Sequence, residues 1–80
     1  MERLLDRISI NPAVGGGKPC IRGTRIWVSL VLDLLASGMP EDEVRAEYPS
    51  LVREDILAAI AYGAEAARDR MIPVSTEPAA

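Results

Sequence analysis

Lys18, Arg22 and Arg25 stand within eight residues of one another, and residues 8–32 contain no acid. Cations so spaced can each neutralise one phosphate of a nucleic acid or one carboxylate of a protein. Thr24 adds a hydroxyl donor, and Gly17 and Gly23 make the intervening backbone pliable. In a two-fold dimer the set doubles to six cations, enough for a useful, salt-sensitive affinity. The same residues allow a plainer arrangement. From Asp33 onward ten acids face four arginines, so Arg22 or Arg25 has acids of its own chain, or of an acidic partner, to pair with. Replacing all three cations by alanine is expected to flatten the salt dependence of any DNA binding.

Other chemistries are poorly served. Gly15-Gly16-Gly17-Lys18-Pro19 has the outline of a phosphate loop. That motif also needs a glycine six residues before its lysine and a Ser or Thr after it, and those places hold Pro12 and Pro19. Pro19 further removes a donor and blocks the helix that should follow. Cys20 has no histidine anywhere in the chain to activate it, so a buried apolar thiol is the expectation. The absence of histidine also excludes His general bases and His-ligated zinc. Glu41, Asp42 and Glu43 are consecutive, point about 100° apart on a helix and cannot converge on one ion. No catalytic residue, metal or cofactor is expected, and the chain reads as a non-enzyme.

Eighty residues leave room for one core, and such a chain buries only about 60% of its unfolded surface, so a partner that covers apolar area is expected. No uncharged stretch approaches the roughly 20 residues of a membrane span. The first six residues, MERLLD, carry charge where a signal peptide needs an apolar centre, and the single cysteine suits a reducing cytoplasm.

The elements that must hold the cations follow from periodicity. Residues 1–7 mix leucines and charges as a frayed turn. Ile8-Ser9-Ile10, Pro19-Cys20-Ile21 and Arg25-Ile26-Trp27-Val28 are β-leaning pieces, so residues 8–28 form a short β-arm around the triple-glycine bend. A first helix follows over 29–37, with Leu30, Val31, Leu34 and Leu35 on one face, Ser29 as N-cap and Gly38 as its left-handed end. A second covers 40–48, opened by Pro40, with Met39 and Val44 at staple spacing, Glu43 as capping-box acid and Pro49 as its stop. A third covers 52–70, with Leu51 and Ile56 as staple, Asp55 at the acid position and an apolar stripe of Ile56, Leu57, Ile60, Ala64 and Ala67. Residues 71–80 read as a flexible tail. The class is therefore mainly α: a short N-terminal β-arm, then three helices compatible with a helix-turn-helix, in one domain over 1–70.

If the third helix entered a DNA groove, its exposed face should be rich in Arg, Lys, Asn or Gln near the start. It offers Arg53, followed at once by Glu54 and Asp55. Its small residues Ala58, Ala61 and Gly63 suit the close approach of another helix. That face is better made for protein than for base edges.

The runs NPAVGGGKPCIRGTRIWV (residues 11–28), LLASGMPEDEV (34–44), YPSL (48–51) and EDILAAIAYGA (54–64) together resemble the bacterial family known as domain of unknown function 433, over roughly residues 8–67. The resemblance implies a homeodomain-like helix-turn-helix fold and the role of antitoxin in a type II toxin–antitoxin pair. The usual neighbour there is a PIN-like, metal-dependent ribonuclease with a carboxylate-lined active site. It points to Arg22 and Arg25 as the residues that meet it, with operator DNA as a second ligand and a homodimer or larger assembly as the working form. Pro40 and Val52 depart from the family pattern, where a Ser or Thr caps each helix; Val52 forgoes a cap at about 1 kcal/mol. The alternative is a stand-alone helix-turn-helix transcription regulator.

Overall fold

A computed structural model of the chain describes residues 3–74. It is mainly α with a small N-terminal β element: a 3-10 turn at Leu4–Arg7, strand β1 at Ile8–Ser9, a second 3-10 turn at Gly15–Gly17, strand β2 at Cys20–Ile21, then helices α1 at Val28–Ala36, α2 at Glu41–Glu47 and α3 at Arg53–Asp69. The strands pair antiparallel, Ile8 opposite Ile21 and Ser9 opposite Cys20, and Trp27 bridges the other side of Cys20. The third β-leaning piece thus contributes one bridging residue instead of a strand, because Val28 already starts α1.

Ladders this short are held by what they pack on. Ile8, Cys20 and Ile21 are buried and join Val28 and Val31 of α1, Val44 of α2, and Ile56, Ala58 and Ala59 of α3. Val31 and Val44 are fully buried, each contributing about 2 kcal/mol. The arm is therefore not a pliable appendage but the third wall of the core. Residues 4–7 are not frayed either: Leu4 packs against this core, and the Arg7 guanidinium reaches Asp55 at 3.1 Å; residues 1–2 lie outside the described residues.

Helix ends show where local chemistry prevails. Gly38 ends α1 with φ +97°; its N–H donates to Leu35 O, and the next N–H, of Met39, donates to Leu34 O. These two bonds are the Schellman pattern expected of a glycine there. Ser29 is not the N-cap. The Cys20–Trp27 bridge keeps the chain extended through Trp27, which occupies the cap position without a side-chain bond, and the Val28 N–H donates to Pro19 O. Glu43 likewise makes no cap bond at Pro40, which has no N–H to offer. At α3 the Asp55 carboxylate accepts from the Val52 N–H at 3.0 Å. The reciprocal bond is missing because valine has no acceptor. At the staple positions of α2 and α3, Val44, Leu51 and Ile56 are buried in the core and Met39 packs against it.

The expected stripe of α3 is corrected. Asp55, Ile56, Ala58 and Ala59 are buried and Tyr62 packs against the core, whereas Ile60 is 47% exposed and Ala64 and Ala67 are exposed. Two contacts turn the helix this way: Arg7 draws Asp55 inward, and Leu32 of α1 lies over Gly63, where a Cβ would meet its Cδ1 at 3.1 Å. Beyond α3, residues 71–74 are exposed; the rest of the expected tail, 75–80, lies outside the described residues. Among the described residues no helix is long and apolar enough to cross a membrane.

Gly15 is where the triple glycine is indispensable. Its φ is +60°, and a Cβ would lie 2.7 Å from Cys20 Sγ and 3.0 Å from Trp27 Nε1. Gly16, at φ +71°, has nothing within 4 Å. Gly15→Ala is expected to cost about 2–4 kcal/mol and Gly16→Ala only about 1–2 kcal/mol, measured by urea unfolding. Equal losses would mean the close approach to Cys20 and Trp27 carries no weight.

Candidate functional site

The turn after β2 positions the central cations. Residues 21–26 close on themselves: Ile21 N–H donates to Ile26 O at 3.0 Å, and Thr24 N–H donates to Ile21 O at 3.0 Å. Gly23 has φ +81°, the left-handed conformation required at the third place of such a turn. Thr24 then locks it. Its hydroxyl donates to Ile21 O at 2.8 Å and accepts from the Ile26 N–H at 3.0 Å. With its proton committed inside the turn, Thr24 is a turn brace and not the contact donor expected from sequence.

Arg22 is committed as well, though to no acid. Its Nε donates to Asp6 O at 2.7 Å and its Nη2 to Ile8 O at 3.0 Å, while its own N–H donates to Arg7 O at 2.7 Å. One residue thus straps the N-terminal turn and β1 to β2. Arg25, three places on, is exposed and has no hydrogen-bond or ion-pair partner among the described residues. Three acids of the helical half pair elsewhere: Glu41 with Arg45 at 3.7 Å and Arg53 at 3.4 Å, Asp55 with Arg7, and Glu65 with Arg68.

Lys18 is separated from this pair. Its ammonium lies 4.5 Å from the centroid of Trp27, whose indole N–H donates to Gly15 O at 3.0 Å. Cys20 is 1% exposed, the buried thiol its sequence context suggested. Arg53 is exposed but turned to Glu41, and Asp55 is buried, so the start of α3 presents no cluster of unpaired cations. Ala58 is fully buried in its own subunit and cannot face a partner, Gly63 serves the α1–α3 contact, and Ala61 is half-buried.

Arg22, Thr24 and Arg25 do come together along one wall of an open groove of about 750 Å³. Ser9, Ile10, Asn11, Pro12 and Val14 complete its lining, and among the described residues no acid lines it. Asn11 stiffens that wall by accepting the Ala13 N–H at 2.9 Å. Ile10, 61% exposed, is the groove residue that sequence reasoning missed. Its period-2 spacing from Ile8 suggests a shared buried face, but β1 ends at Ser9 and leaves it outside. A guanidinium without a counter-ion, a rigid turn beneath it and an apolar side chain opposite can hold an anionic group attached to an apolar neighbour. Among the described residues no His, Cys, Asp or Glu trio converges as metal ligands.

Comparison with known proteins places this geometry among relatives. Residues 8–63 match the family model described as "Protein of unknown function (DUF433)". The crystal structure of a DUF433 member from Anabaena variabilis is similar, with a TM-score of 0.73 and 38% sequence identity over 79% of this chain. The chain spans 62% of that protein's length. No curated protein sequence matches it.

Proposed function

The chain belongs to the DUF433 family, and we propose that it is a non-enzymatic, antitoxin-like protein that binds and neutralises a PIN-like ribonuclease. The supporting observation is Arg25: a cation on a rigid turn, in a groove where, among the described residues, it has no partner and no acid lines the walls. A nuclease that binds its metal through a carboxylate cluster presents the opposite pattern, several acids at the floor of a cleft. Arg25 meets one of them as a planar fork, and Ile10 and Pro12 cover the rim. Arg22 holds the platform. Promoter DNA is a second ligand of the same groove, met there by Arg25, while Lys18 lies outside its lining.

The regulator without a toxin is the weaker reading, since Arg53 is paired and Asp55 buried at the start of α3, where a recognition helix needs its donors. In the test, this chain is co-expressed with the product of the adjacent open reading frame. Co-purification with a metal-dependent ribonuclease, whose activity falls stoichiometrically as this chain is added, is the expected result. An adjacent product that is no nuclease, together with tight sequence-specific DNA binding by this chain alone, overturns it.

A further inference from the structure

We propose that this chain forms a two-fold dimer in which residues 71–74 of each copy seat in a furrow of the other. The furrow runs between α1 and α3 on a face that shares no residue with the Arg25 groove. Val28 and Leu32 form one side, Tyr62, Gly63 and Ala66 the other, and Lys18 stands at one end; the volume is about 330 Å³. An adjoining hollow of about 400 Å³ shares Gly63 and Ala66 and ends at Ile72. Gly63 keeps the floor low, since a Cβ there would press on Leu32.

Beside this apolar furrow the same chain exposes the side chains that fit it. Met71, Ile72 and Val74 are 93%, 72% and 81% exposed. They do not fill their own furrow, because the chain leaves α3 extended at Arg70 and Ile72 becomes the rim of the hollow. A surface carrying both a knob and its socket is self-complementary, which is the requirement of an isologous interface. Isolated exposed apolar residues are ordinary on a surface; three within four positions beside an apolar furrow are not.

Charge agrees with the second copy as occupant. Lys18, which lines the furrow, lies over the Trp27 indole and has no ion-pair partner among the described residues. Asp69, the last residue of α3, has no ion-pair partner among the described residues and stands two residues before the knob, with Arg70 between them. Seating the knob brings Asp69 of the partner subunit toward Lys18, and the two-fold axis repeats the pair.

Sedimentation equilibrium on the full chain tests this. The wild type is expected at twice its 8.6 kDa mass. Ile72→Asp, on an exposed side chain, is expected to weaken dimerisation at least about tenfold while leaving the helical circular dichroism unchanged. Lys18→Glu and Asp69→Lys are each expected to weaken it, and their combination to restore it. A wild-type monomer throughout the concentration range overturns the proposal, leaving the furrow to a different protein. So does a dimer indifferent to Ile72→Asp, or a charge-swapped double variant no tighter than the single ones. None of these readouts involves the nuclease, so this inference stands or falls apart from the proposed function.

Discussion

Asp55→Ala is expected to lower the stability of the folded chain by about 2–4 kcal/mol, read as an earlier midpoint in urea unfolding. Two bonds disappear at once. One carboxylate oxygen takes the Arg7 guanidinium at 3.1 Å and the other takes the Val52 N–H at 3.0 Å. The carboxylate side chain is only 10% exposed, so water replaces neither partner fully, while the arginine side chain at 27% keeps the loss below that of a dry ion pair. For a domain this small, whose whole stability is on the order of 5 kcal/mol, that is a large fraction. Arg7→Ala is expected to cost less, about 1–2 kcal/mol, because it leaves the α3 cap intact. The double variant should then lose less than the two single losses added together. A loss below about 1 kcal/mol for Asp55→Ala means the pair is solvated and the N-terminal turn is held mainly by Leu4 and the Arg22 bonds.

Arg25→Glu is expected to weaken binding to the co-purifying nuclease about a hundredfold or more without moving the unfolding midpoint. The reversal places an acid among the acids Arg25 would meet, and like charges brought together at an interface cost several kcal/mol. Its neighbour behaves differently. Arg22→Ala removes two bonds to main-chain carbonyls and is expected to cost about 1–2 kcal/mol of stability, with a smaller loss of affinity. Measuring both variants by calorimetry and by urea unfolding separates contact from scaffold. If Arg22→Ala abolishes binding in a fully stable protein while Arg25→Glu does little, the two roles are assigned the wrong way round.

The sequence discloses some of this fold and hides other parts for definable reasons. Gly38, Pro49 and the two staples mark helix ends because their effects act within a few residues, and the three helices appear within about one residue of the expected limits. Rotation of α3 was not accessible from its own periodicity. It depends on Arg7, 48 residues away, and on Leu32, so an alanine-rich stretch with apolar residues on several faces was assigned the wrong stripe. Of the three cations in the acid-free segment, Arg22 and Arg25 line one groove and Lys18 lies outside it. Its internal division does not follow from composition, because Arg22 and Arg25 differ only in whether a carbonyl happens to lie within reach. Thr24 shows the same limit: a hydroxyl that looks available in sequence is spent where the turn closes.

The bond between Arg7 and Asp55 also sets an order of events during synthesis. Residues 4–7 cannot be fastened by that bond until the opening turn of α3, 48 residues later, has been synthesised. Until then β1 and β2 lack the helix that covers them, and Ile8 and Ile21 stay accessible to chaperones and proteases.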